Sequence, residues 1–340
     1  MRLFFLLCLI SFFGCLDKID LNSPLSSSPF LIIDGKITVT SQQSKLRILV
    51  SLSATPSKPT SFVRVSEAFV INSKGVEKPL IDNRDGSYEY FGNIDFNFEI
   101  GEKYKVKLVA FTKEIYESEF VAFYEGAKID SLTYEWEKGA LEDKIIAVVE
   151  TKTNNIVNNN ILKWDVIQSY QLTEQLWGDP PGRTCYATAH VDLFDVALFD
   201  ARQKGINQPI RYKVSEKPLD SKFAEGYYFT IVQEAIDVNT YNYFEAYNEL
   251  LIRDGNIFES PAGTIPTNFK CTSHPSKIVL GYFYATSQDT ARLKVDHQDV
   301  GNPKMQCPMP PTEFNPCPTR ACCDCLSLKG SSLYKPHFWK

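Results

Sequence analysis

From residue 30 onward, apolar and polar positions alternate in short runs closed by turn residues, the period of two that marks half-buried strands. Phe30 to Ile33 leads through Gly35 into Lys36 to Val39, and Leu46 to Leu52 alternates in part. Val63 to Val65 and Ala68 to Ile71 follow, closed by the turn Asn72-Ser73-Lys74-Gly75. A second turn, Asn83-Arg84-Asp85-Gly86, offers a glycine for a positive φ ahead of Tyr88-Glu89-Tyr90. Tyr104 to Phe111 is the clearest strand, and Ile115 to Phe120 is expected to pair with it. This succession of short strands, with no Cys among them, predicts an immunoglobulin-like β-sandwich over residues 30–125.

The rhythm pauses at Tyr124-Glu125-Gly126-Ala127, which places a domain boundary there. Residues 126–340 read as a larger β-rich domain with one or two helices, so the fold class is mainly β. Its strand candidates are Ser131 to Trp136, Lys144 to Glu150, Leu162 to Gln168 and Cys185 to Leu193. Arg211 to Val214, Tyr227 to Glu234 and Ile278 to Ala285 continue the series. Thr151 to Asn160 is polar and Asn-rich and is expected to be a hairpin loop. A helix is predicted from Asn239 to Arg253, capped by Asp237 or Asn239 and stopped near Gly255. Its aromatic stripe, Tyr241, Tyr243, Phe244 and Tyr247, packs the helix onto a sheet or lines a ligand site.

Composition narrows the class. The chain has 340 residues, 44% hydrophobic and 23% charged, with a net charge of −5. That length suits two domains better than one. Mild acidity with only four His argues against a nucleic-acid partner, which calls for a basic face.

The start of the chain points to a compartment. Leu3 to Phe13 is an apolar run behind Arg2, too short for a membrane-spanning helix and shaped like a secretory signal. It ends in Gly14-Cys15, which resembles a bacterial lipoprotein lipobox, although Phe12 and Phe13 depart from the usual residues there. Residues 1–14 are thus expected to be a lipoprotein signal peptide, with Cys15 the acylated first residue of the mature chain. Acyl chains at ~0.8 kcal/mol per buried CH2 would anchor it to membrane lipid. Residues 15–29, with five Ser or Asn and two Pro, read as a flexible tether.

Seven Cys remain once Cys8 and Cys15 are set aside: Cys185, Cys271, Cys307, Cys317, Cys322, Cys323 and Cys325. Export permits disulfides, so all seven are candidates, and an odd number leaves at least one without a partner in the chain. Cys322 and Cys323 are adjacent and are expected to bond elsewhere, Cys185 and Cys271 being among the partners open to them. The rival reading, a thiolate metal site at Cys317, Cys322, Cys323 and Cys325, lacks the paired spacing of common zinc modules, so no metal is expected.

The run Ala321-Cys322-Cys323-Asp324-Cys325, followed by Lys329-Gly330-Ser331-Ser332 and Lys335-Pro336-His337-Phe338-Trp339, resembles the end of a Bacteroidota lipoprotein family, domain of unknown function 4249. Leu31-Ile32-Ile33-Asp34-Gly35, Cys185-Tyr186 and Val279-Leu280-Gly281-Tyr282-Phe283 fit the same pattern. The chain departs from it at Lys329-Gly330-Ser331, where many members have two glycines. The resemblance implies an outer-membrane lipoprotein associated with a TonB-dependent receptor of the starch-utilisation type. It carries over no catalytic residue and no cofactor. Asp17 and Asp20 are similar to acidic surface-export signals, and Asp130-Ser131-Leu132 and Asp289-Thr290-Ala291 resemble an O-glycosylation motif centred on Ser131 and Thr290.

Enzyme signatures are missing: there is no G-x-S-x-G elbow, no P-loop and no H-E-x-x-H. His190, His274, His297 and His337 are scattered, and His190-x-Asp192, Asp192/Asp195 and Glu142/Asp143 have no distinguishing context. Trp136, Trp164 and Trp177 suit a β-core or sugar stacking. The expected function is therefore a non-enzymatic outer-membrane lipoprotein, an accessory or substrate-binding partner of a TonB-dependent receptor. The alternatives are a surface hydrolase or carbohydrate-active protein, and an adhesin or structural envelope component. The aromatic tail at Phe338 and Trp339 is expected to dock onto the second domain.

Overall fold

The structure, a computed structural model, describes residues 29–54, 58–122, 124–155, 160–174, 182–191, 196–251, 265–304 and 324–340. The signal segment 1–14, Cys15 and nearly all of the tether lie outside the described residues, as do Cys307, Cys317, Cys322, Cys323, Trp177 and the Asp192/Asp195 pair.

The first half of the chain supplies β1 (Leu31–Val39), β2 (Ser44–Leu52), β3 (Ser61–Phe62), β4 (Glu67–Asn72), β5 (Glu77–Pro79), β6 (Ile81–Asp82), β7 (Ser87–Phe91), β8 (Lys103–Val109), β9 (Ile115–Ser118) and β10 (Val121–Ala122). The second half opens with β11 (Ile129–Glu137), β12 (Lys144–Lys152), β13 (Ile161–Thr173), β14 (Thr184–His190), β15 (Ala197–Asp200), β16 (Pro209–Pro218) and β17 (Tyr227–Ala235). Helix α1 (Val238–Leu251) follows, then β18 (Phe269–Cys271), β19 (Val279–Leu280), β20 (Phe283–Val295) and β21 (Ser331–Ser332). The mainly β class holds, with α1 the one α-helix among the described residues.

β1 shows how alternation becomes architecture. Ile33, Gly35 and Ile37 turn to one side and are buried, while Asp34, Lys36 and Thr38 turn to the other. A Cβ on Gly35 would lie 2.4 Å from Ile48 and 2.8 Å from Phe283, so glycine lets those side chains close over the strand. β1 pairs antiparallel with β2, from Leu31 opposite Leu52 to Val39 opposite Ser44. On its other edge it pairs in parallel with β20, from Gly35 beside Phe283 to Val39 beside Ser287.

One large sheet therefore runs through both halves of the chain, in the order β21-β14-β13-β17-β20-β1-β2-β7-β6. A second sheet has the order β18-β9-β8-β4-β5, and a third is β11-β12-β16. Both smaller sheets cover the same face of the large one. Along β20, Phe283 and Ala285 enter a core with Val70, Val106 and Leu108 of the second sheet. Further along the same face, Leu293 and Val295 pack in a core with Ile145, Ala147 and Val149 of the third. The opposite face carries α1, whose first turn is capped by Asp237: Oδ1 accepts from the Thr240 N–H at 2.8 Å.

Residues 30–122 do form two packed sheets, but they do not close the core alone. Phe269, Cys271, Val279, Phe283 and Ala285 return from the second half to fill it. The expected pairing of the strand after Ile115 with that after Tyr104 is present as β8–β9. Three local expectations change. Ile278 to Ala285 is not one strand: it breaks at Gly281, φ +97°, between β19 and β20. Thr151 to Asn160 does not close a hairpin, because β12 pairs with β11 and β16 while β13 pairs with β14, β15 and β17. The segment, of which 156–159 lie outside the described residues, instead carries the chain from the third sheet to the large one. Its amides hold that crossing in place. Asn160 Nδ2 donates to the Asn154 carbonyl at 3.2 Å, and Asn154 Nδ2 donates to the Glu125 carbonyl at 2.6 Å. Val63 to Val65 is not strand; the Tyr88 hydroxyl oxygen accepts from the Val65 N–H at 2.6 Å and holds it.

Candidate functional site

A cavity of about 480 Å³ lies between α1 and the outer face of β1, β2 and the start of β20. Its floor is the polar side of the two N-terminal strands: Asp34, Lys36 and Thr38 from β1, and Lys45, Arg47 and Leu49 from β2. Its walls are aromatic, with Tyr243 and Phe244 from α1 facing Tyr282 and Tyr284. Tyr243 stacks on Tyr282 with centroids 4.4 Å apart, and Phe244 meets Tyr284 edge-on at 5.5 Å. The aromatic stripe thus both packs the helix onto the sheet and lines a cavity.

A buried charge cluster supports this wall. Glu234 of β17 is 0% exposed. Its Oε1 lies 2.7 Å from Lys36 Nζ and its Oε2 lies 3.2 Å from Lys163 Nζ. Lys163, on β13, also reaches Asp165 Oδ1 at 2.6 Å. The Tyr284 hydroxyl donates to Glu234 Oε2 at 3.2 Å, and Gln288 Nε2 donates to Oε1. The register explains the meeting: Lys163 is opposite Glu234, Glu234 is opposite Gln288, and Lys36 is beside Tyr284. Four neighbouring strands, β13, β17, β20 and β1, thus place one ionic row on the outer face. The Lys163 ammonium also stands 5.1 Å over the Phe244 ring, which ties α1 to the row.

The environment sets the charge states. Burial alone would raise the Glu234 carboxyl, but Lys163 and Lys36 pull it down to about 2. Burial works against the Lys163 ammonium, yet Glu234 and Asp165 hold it above the usual lysine value. Burial pushes the Tyr282 hydroxyl up to about 12, and it raises Tyr243 and Tyr284 as well. Asp34 is open at the rim, but the groups crowded about its carboxyl strip enough water to raise it, against a lowering hydrogen bond from the Tyr282 backbone. With every ion-pair oxygen engaged and no exposure, Glu234 is a structural carboxylate.

The residues singled out from sequence lie elsewhere. Cys185 and Cys325 form a disulfide that closes a separation of 140 residues. They pack with Leu172 in a small core on the side of the sheet opposite α1. Cys271, a disulfide candidate in the sequence, is instead a free buried thiol, because β18 seats it in the N-terminal core beside β9. The Ser131 hydroxyl donates to Glu150 at 2.9 Å, whereas Thr290 is exposed on the outer face. Trp164 is fully buried, stacked on Tyr212 at 4.6 Å, with Nε1 donating to Gln233 at 2.8 Å, so it serves the core. Among the described residues no group of three or more His, Cys, Asp or Glu side chains is placed to hold a metal.

The tail docks as expected, and it crosses the sheet to do so. From Cys325 on one side, Gly330 turns the chain with φ +81°, so the glycine kept in the departing Lys-Gly-Ser is the one the turn requires. β21 then pairs with β14 at the sheet edge. Trp339, 8% exposed, lands on the outer face against Tyr228 at 4.7 Å and Tyr186 at 5.1 Å. Arg292 stands 4.6 Å over the Phe338 ring.

The charge row was not read from the sequence. Its signal was Lys163-Trp164-Asp165, two opposite charges on one side of a strand whose other side is apolar. No helix among the described residues is long and apolar enough to cross a membrane.

Comparison with known proteins adds a family. The family model described as "Domain of unknown function (DUF4249)" matches residues 17–292. No curated protein matches the chain. Among solved structures, a DUF4785 family protein from Legionella pneumophila is similar at 12% identity and a TM-score of 0.19, covering 60% of this chain. The match spans about half of that protein, 52% of its chain, and at that score the likeness carries no argument.

Proposed function

We propose, for a chain that belongs to the DUF4249 family, a non-enzymatic role as a lipid-anchored outer-membrane protein of Bacteroidota that captures a ligand beside a TonB-dependent receptor of the starch-utilisation type. The observation that carries the binding half is the cavity beneath α1, a concave site with aromatic walls and a few convergent charges. Its walls are fixed by the Glu234 row, so the site is built before any ligand arrives. The nearest buried carboxylate is held by two ammonium groups and has no free proton chemistry to offer. The anchor half rests on the apolar run that ends in Cys15.

Two measurements test the reading. Tagged full-length protein, extracted with detergent from its own membranes, should co-purify a TonB-dependent receptor. Repeated recovery without any membrane partner refutes the accessory role. Replacing Cys15 with Ala should move the protein from the membrane fraction into the soluble fraction; retention in the membrane refutes lipid anchoring.

A further inference from the structure

The cavity floor has a charge pattern that a sheet does not adopt without cause. Lys36 and Arg47 are directly opposite each other across β1 and β2, and Lys45 occupies the next row beside Thr38. Like charges directly opposite on a sheet destabilise it. The carboxylates that balance them are Glu234 and Glu89, the latter on β7 directly opposite Arg47. Glu234 takes Lys36 from the β20 side, and Glu89 of β7 takes Lys45 at 2.8 Å from the other edge. Arg47 is left the most open of the three: its Nε is 3.8 Å from Glu89, beyond hydrogen-bond reach, and its side chain is 60% exposed. All three cations line the cavity.

The other end of the floor is different. Asp34, opposite Leu49, is one row of side chains away from Lys36 and Arg47, about 7 Å along the strands. It is the one carboxylate on the lining, and it stands near Tyr243 and Tyr282. One face of each helix ring is already covered: Tyr243 by Tyr282, and Phe244 by the Lys163 ammonium. These contacts hold both rings in the wall, which gives the cavity an apolar side.

We infer that the cavity takes an organic anion with an apolar or aromatic body. Its carboxylate or phosphate sits among Lys36, Lys45 and Arg47, and its body lies along Leu49, Tyr284 and Phe244. A hydrogen-bond donor at the far end of the ligand meets Asp34. The Arg47 guanidinium, with its fork open, makes the charge-assisted contact that discriminates acid from neutral analogue. This inference rests on the binding reading above and names its ligand class.

The test is calorimetric titration of the full chain in an uncharged detergent with 2-naphthoate, 2-naphthyl phosphate, neutral 2-naphthamide and the neutral oligosaccharide maltoheptaose. At least one of the two acids should bind about tenfold or more tighter than the amide, the scale of one charge-assisted hydrogen bond. Arg47→Glu and Arg47→Gln should abolish that preference, and Arg47→Gln should leave the melting temperature near that of the parent, since Arg47 is exposed and makes no hydrogen bond to Glu89. Equal binding of acids and amide overturns the inference, as does a preference that survives both variants. Maltoheptaose binding that neither variant weakens, together with no response to the acids, also overturns it. That result leaves the accessory reading standing, because receptor co-purification is measured separately.

Discussion

Replacing Glu234 with Gln removes one charge from the centre of the ionic row and almost no volume. In the parent, Glu234 balances Lys163, 5% exposed, and Lys36, 32% exposed. The variant leaves Lys163 with Asp165 alone at 2.6 Å, itself 21% exposed, and leaves Lys36 with no carboxylate on that side. Removing one member of a buried pair costs roughly 3–5 kcal/mol, and the surviving Asp165 contact puts this case near 3. The pH dependence gives a second test of the same assignment. The folded carboxyl is held at about 2, below the ordinary 4.5 of the unfolded chain. Its contribution is therefore fully present above about pH 5 and is lost as pH falls from there through about 2. Urea unfolding followed by circular dichroism should show Glu234→Gln less stable by about 3 kcal/mol at pH 7. The gap should narrow steadily between pH 5 and pH 3 as the parent loses its advantage. A gap under about 1 kcal/mol at neutral pH, or one that does not change on acidification, refutes the assignment of the row as a stabilising element. A companion variant with Glu234→Leu and Lys163→Met tests the same point, because removing both charges should restore most of the loss.

Three further outcomes follow from the tail. Cys185→Ser with Cys325→Ser should lower stability by about 2–4 kcal/mol, read as a drop in melting temperature that reductant reproduces in the parent. Trp339→Ala should destabilise by up to about 3 kcal/mol, limited by the free energy that docks the tail, and limited proteolysis should then cut near the C-terminus first. Deleting the last six residues should lower the melting temperature as well; an unchanged value refutes docking as a source of stability.

Local structure was legible where one strand's alternation decides it. β8, β12, β17 and α1 with its Asp237 cap lie close to where period and capping put them. Pairing was not legible. Nothing in Phe283 to Val295 says that its first residues complete an N-terminal core and its last residues a second one, because both ends alternate alike. Thr151 to Asn160 has the composition of a hairpin, and composition does not say whether the next strand returns to the same sheet. The cavity was half legible. Tyr243 and Phe244 were marked by helical spacing, but Lys36, Arg47 and Glu234 looked like solvent-facing strand positions. They become a site through the register between strands far apart in sequence, Lys36 and Glu234 being 198 residues apart.

β1 has a mechanical consequence. It is clamped on both edges, antiparallel to β2 and parallel to β20, and it is the first strand among the described residues. A pull applied at Leu31 and directed along this strand loads the flanking hydrogen bonds together in shear, instead of opening them one by one as at a peeling edge. Tension from the N-terminal side is thus resisted by the middle of the largest sheet, directly beneath the cavity.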